Sequence, residues 1–247
     1  MADTLPGSTL EEILAAARMP ARDKWTYTWW RGHADAKWLL TPKLFRGIVN
    51  PIVEHSMLLK FQAKAGTRYT KCPRVDDVPG WLTLMQHYRL PTRLLDWTTS
   101  ILVAAYFAAS EVAEQDGVIW GLNPSLANHQ LAGVYGILVP SHAKAKELLD
   151  DAFTGKLQGK GTAVAMIPSE FDLRMLLQQS MFTVHGSKDT LDNYFNAGSD
   201  WPFVKITVPT GAKQGILRDL TVLGIRRSSL FPDLESLSAD IVAEPNW

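Results

Sequence analysis

The residues most able to do chemistry in this 247-residue chain crowd into one stretch, Gln86-His87-Tyr88-Arg89-Leu90-Pro91-Thr92-Arg93-Leu94-Leu95-Asp96-Trp97-Thr98-Thr99-Ser100. It holds a histidine, two arginines, an aspartate and a run of hydroxyls. Apolar, helix-like segments flank it, the second being Ile101 to Ala109. Polar groups placed in this way are not expected on an open surface. Leu90-Pro91 stops the preceding helix and biases the chain to extended geometry. Asp96 to Ser100 offer oxygens that can cap the next helix. Two readings stay open. In one, Asp96 pairs with Arg93 in a buried capping corner. In the other, the stretch walls an anion site, because a helix N-terminus flanked by arginines suits a phosphate. Related chemistry sits elsewhere in the chain. Arg31-Gly32 ends a strand-like run, where the glycine leaves backbone room for a phosphate to approach. Arg174 with Gln178-Gln179 precedes another such run.

These groups need elements to position them. Ser8-Thr9-Leu10-Glu11 reads as a capping box before an alanine-rich helix. Trp25 to Trp30, β-branched and aromatic, predicts a strand running into Arg31-Gly32-His33. Lys43 to Gly47 forms a basic turn. Asn50-Pro51 reads as the cap and first residue of a helix with Val53, Met57 and Phe61 at helical spacing, and a further helix spans about Val78 to Tyr88. Strands follow at Gly117–Leu122, Thr162–Ile167, Met181–Gly186 and Phe203–Val208, with a fifth at Gly136–Val139. A polar helix covers His142–Phe153. Two late helices span about Ala212–Leu223 and Pro232–Ile241, the first ended by Gly224. One α+β domain is the economical reading, with helices concentrated in the N-terminal half.

Composition narrows the function. Lys+Arg and Asp+Glu are both 25, so no global field directs the chain to DNA or an anionic membrane, and any polyanion site is local. The single cysteine, Cys72, excludes an internal disulfide and a cysteine metal cluster. None of the six histidines has the spacing of a zinc helix motif, and no metal site is expected. P-loop, dinucleotide-glycine and serine-elbow signatures are all absent. With no signal peptide and no long apolar run, the expected location is the cytoplasm, with no membrane partner.

Three motifs carry a resemblance: Trp30-Arg31-Gly32-His33, the Gln86–Thr98 stretch, and Gln178-Gln179-Ser180-Met181-Phe182-Thr183, with Gly224-Ile225 and Ser229 to Leu234 extending it. Together they resemble the FRG domain family, named for its Phe-Arg-Gly motif. The resemblance runs from about Trp25 to the C-terminus, which implies an N-terminal helical extension over residues 1–24 and an FRG domain over 25–247. Trp30 stands where the family has Phe or Tyr. Arg89 and Ser180 stand where it usually has Gly.

The order of motifs is also similar to the ADP-ribosyltransferase superfamily, which binds NAD in a cleft between two small sheets. That likeness implies a split small β-sheet core and NAD as substrate, with Arg31 and Gly32 at the phosphates. Arg93, Trp97 and Thr98 would join them on the cofactor. His87 and Asp96 would shape the catalytic pocket, and Gln179 would contact the ribose. The superfamily places a glutamate near Gln179. Glutamine can bond a ribose hydroxyl but carries no charge to offset a developing cation, so the chemistry would lean on pocket electrostatics or on a nearby carboxylate such as Glu170.

The expected function is thus an NAD-binding, ADP-ribosyltransferase-like domain of a toxin or phage-defence effector. Its partner is a nucleotide-like small molecule, with a protein or nucleic acid as acceptor. Two alternatives are a hydrolase or nuclease using His87 or His33 as base with Asp96 orienting it, and a non-catalytic nucleotide or nucleic-acid sensor.

Overall fold

The computed structural model describes residues 4–19, 27–47, 52–158, 162–169, 172–195 and 203–243. In chain order it sets out β1 (Thr4–Pro6), α1 (Leu10–Ala17), β2 (Trp29–His33), α2 (Ile52–Ala65), α3 (Val78–His87), β3 (Leu94–Thr98) and α4 (Ile101–Ala109). There follow β4 (Gly117–Leu122), α5 (Pro124–Ala132), α6 (Ala143–Thr154), β5 (Ala163–Met166), α7 (Leu173–Leu177), β6 (Ser180–His185), β7 (Phe203–Val208), α8 (Lys213–Val222) and α9 (Leu234–Ala243). The fold is α+β.

All seven strands join one sheet in the order β1-β7-β4-β2-β3-β6-β5. β1 runs parallel to β7, and the other neighbours are antiparallel. The expected split core is therefore corrected to a continuous sheet with one narrow seam. β2 meets β4 through five register pairs, and β3 meets β6 through five. Between β2 and β3 there is a single pair, Trp30↔Thr98. Continued, that register would set Gly32 opposite Asp96, but the strands part first.

Apolar side chains cover both faces. On one side Trp30, Ile119, Ile206 and Val208 pack against α1, α4 and α8. On the same side beyond the seam, Leu94, Val164, Phe182 and Val184 meet α2, α3 and α6. Trp29, Leu95, Trp97, Val118 and Trp120 form the core of the other side. The N-terminal residues belong to this architecture: β1 extends the sheet edge, and Ile13 of α1 is fully buried.

Local chemistry explains the elements around the seam. Ser100 Oγ accepts from the Val103 amide and starts α4. α4 is rich in alanine and lies close on the sheet. A Cβ at Gly32 would sit 2.0 Å from the Ala104 carbonyl oxygen and 2.6 Å from the Ala108 nitrogen. Asp77 caps α3 by accepting from the Gly80 amide at 3.0 Å.

Several expectations need correcting. Helices are spread along the chain rather than gathered in its first half, since α5 to α9 all follow β4. β2 begins at Trp29, not Trp25, while Trp25 and Thr26 lie outside the described residues. Asn50 and Pro51 lie outside them too. The cap of α1 is Thr9, which accepts from the Glu12 amide. Gly136–Val139 contributes only an isolated bridge, Leu138↔Met166.

Candidate functional site

Where β2 and β3 part, a cavity of about 370 Å³ opens. Arg31, on β2, reaches across the gap. Its Nη1 donates to the main-chain carbonyl of Asp96 at 2.6 Å, and its Nε donates to His33 Nε2 at 2.8 Å. His33 in turn faces the Trp38 carbonyl through Nδ1 at 3.1 Å, which assigns the ring proton to Nδ1. Burial, then the nearby Arg31 and Arg46, push the His33 pKa well below 6.5, so the ring is neutral at pH 7. Burial also pulls Arg31 down to about 10, opposed by Asp96; the guanidinium stays charged.

Five cations line the cavity: Arg31, Lys43, Arg46, Arg89 and Arg174. Asp96 and Glu111 are the carboxylates among its lining residues. Several of the cations are pinned by carbonyls. Lys43 Nζ donates to Arg89 O at 2.8 Å, Arg46 Nε to Thr41 O at 2.9 Å, and Arg174 Nη1 to His87 O at 3.2 Å. Arg174 also lies over the Phe231 ring, 4.7 Å from its centroid. Trp30, Trp38, Phe107 and Phe231 supply flat apolar surface.

Arg31, Gly32, Asp96, Trp97 and Thr98 all border this cavity, but not all in the expected way. Asp96 is half exposed rather than buried. It accepts from Gln86 Nε2 at 2.7 Å, and its Oδ2 lies 3.8 Å from Arg31 Nη1. Gly32 is held to glycine by the close approach of α4. Trp97 belongs to the core, with its indole N–H donating to Thr183 Oγ1 at 3.1 Å. Thr98 Oγ1 accepts from the Ser100 amide and shapes the turn into α4.

Three expected site residues lie elsewhere. Arg93 is fully buried behind the sheet, where it forms an ion pair with Glu54 at 2.8 Å and donates to Leu148 O. It is a core residue because Glu54 of α2, itself fully buried, is its partner. His87 pairs through Nδ1 with Asp172 at 2.9 Å and does not line the cavity. Gln179 is exposed in a turn at φ +48, where its Oε1 accepts from the Thr99 hydroxyl. Its neighbour Gln178 lines the cavity instead, donating to Leu230 O at 3.0 Å. Glu170 lies outside the described residues. The histidine-base alternative loses its geometry as well, since Asp96 is bonded to Gln86 and Arg31, not to His33 or His87.

Reading by motif passed over Trp38, Arg46 and Phe231 as site residues. The signal for Arg46 was the basic turn Lys43–Gly47. Trp38 carried none beyond its type.

An α+β sheet with a cationic, ring-lined cleft at a strand seam is thus the class that fold and site define. Residues 26–117 match the FRG domain family model. The matched residues include Arg31, Arg46, Arg89 and Asp96 and end at the start of β4; Arg174 and Gln178 lie beyond them. No curated protein and no solved structure shows significant similarity to the chain. Among the described residues no helix is long and apolar enough to cross a membrane.

Proposed function

We propose that the seam cleft binds a nucleotide-like anion of the NAD class, and that the chain is an ADP-ribosyltransferase-like domain. One observation carries the reading. A chain with as many acids as bases gathers five cations and two carboxylates around one cavity. Like charges held so close repel one another, and a bound anion relieves that repulsion. Guanidinium groups suit a diphosphate by paired N–H contacts, and the rings suit a base.

Arg31 supports this assignment best. A guanidinium has five N–H donors, and the bonds to His33 and Asp96 use two. The remaining donors are available to a phosphate. In a cleavage of NAD the bond between ribose C1′ and the nicotinamide nitrogen breaks, its electron pair leaves with nicotinamide, and positive charge grows on the sugar. Asp96 and Glu111 are the lining carboxylates able to offset that charge. We place the domain in a cytoplasmic toxin or phage-defence effector, with a protein or nucleic acid as acceptor.

Titration calorimetry with NAD, ADP-ribose and adenosine tests the reading. The expected result is binding of the first two at least about tenfold tighter than adenosine, the share of charge-assisted phosphate contacts. Equal binding of all three, or none, contradicts it.

A further inference from the structure

A second cavity, of about 480 Å³, lies beside the first and shares two wall residues with it, Trp38 and Arg46. Lys37 and Lys188 also line it, and among the described residues no carboxylate does. Arg46 is fixed on the common wall by its Nε bond to the Thr41 carbonyl, which leaves the Nη groups to face a ligand. Trp38 is 41% exposed, and its ring packs edge-on to His33 with centroids 6.1 Å apart. The same histidine holds Arg31 in the first cavity. The two cavities therefore share a ring, a guanidinium and a hydrogen-bonded support.

We propose that they form one bipartite site that selects dinucleotides over mononucleotides. The diphosphate sits between Arg31 in the seam cavity and Arg46 on the shared wall. One nucleoside occupies the seam cavity, and the other lies against Trp38 with Lys37 and Lys188 beside it. A flat ring with a cationic, acid-free rim is the surface that a nucleoside and its phosphate need, and a mononucleotide has only one base to offer two such surfaces. The inference rests on the seam cavity being a nucleotide site.

The test compares AMP with NAD by calorimetry, on the unmodified chain and on the Lys37→Ala/Lys188→Ala double variant. Both lysines line the second cavity and not the first. The unmodified chain is expected to bind NAD at least about tenfold tighter than AMP, the range of one further base stacked on a ring, and the double variant to lose most of that ratio through weaker dinucleotide binding, with AMP unchanged. Trp38→Ala is expected to lower dinucleotide affinity by at least about fivefold, the range of ring–base stacking. AMP binding as tightly as NAD, or a ratio unmoved in the double variant, overturns the bipartite site and leaves the nucleotide reading standing. Failure of every nucleotide to bind the unmodified chain overturns both.

Discussion

Arg31 and Asp96 meet across a gap where a β-ladder would otherwise run. The guanidinium Nη1 donates to the Asp96 main-chain carbonyl at 2.6 Å, just past the single Trp30↔Thr98 pair that joins β2 to β3. A side chain thus satisfies an acceptor that a partner strand would have taken. The sheet stays whole while its middle stays open, and the opening is the candidate site.

Arg31→Lys should not substitute for arginine. A single ammonium at the end of a flexible stem cannot reproduce the planar fork that serves His33 and Asp96 together. Losing one such charge-assisted bond is expected to cost about 1.5–3 kcal/mol. Urea unfolding and ADP-ribose titration should both show the loss. A lysine variant equal to the parent in both would mean the fork is not used.

The two acidic partners should behave oppositely. Glu54→Ala leaves the buried Arg93 charge without its carboxylate and is expected to destabilise by about 3–5 kcal/mol. Asp96→Asn, at a half-exposed side chain, should stay within about 1 kcal/mol of the parent. Denaturant midpoints decide between them. A large Asp96 effect with a small Glu54 effect would reverse this assignment.

Arg89 and Gln179 both adopt left-handed backbone, at φ +62 and +48. Glycine at either position relieves strain of about 1 kcal/mol and should raise the melting temperature. Their effects on ligand should differ. Arg89→Gly removes a lining cation and is expected to weaken ADP-ribose binding, whereas Gln179→Gly should leave it unchanged. Equal ligand effects in the two variants would contradict the placement of the cleft.

Acid should destabilise the fold through two histidines. Burial holds His33 well below 6.5 and His185 at about 3, the latter with Arg31 as a second cause. The unfolded chain takes up those protons near pH 6.5, and the folded chain does not. Stability is therefore fully present above 6.5 and falls as pH drops from there, for His185 toward about 3, by about 1.4 kcal/mol per pH unit for each histidine that stays neutral in the folded chain. Unfolding free energies at pH 7, 6 and 5 measure the slope. His185→Gln should remove its share, and a flat profile in that range would show that these rings are not buried neutral.

The sequence was most informative where chemistry and backbone signals coincided. Arg31, Asp96 and Thr98, set in two polar motifs between apolar runs, come together on one cavity, and Ser100 was legible as a cap. Arg93 was misplaced because nothing local marks its partner, Glu54, 39 residues earlier in α2. Gly32 was read for its freedom, while its actual constraint is contact with α4, visible only in three dimensions. Gln178 and Gln179 are neighbours of one type, and only the turn geometry sends the first to the cleft and the second to Thr99. β1, a three-residue parallel edge strand, is too short to carry a period.

A crystal of the chain soaked with ADP-ribose probes the seam itself. Density is expected at the β2–β3 seam, with the diphosphate in hydrogen-bond reach of Arg31 or Arg46 and a base against one of the lining rings. Density at a site away from the seam, or an empty seam at saturating ligand, would contradict the seam as a nucleotide site.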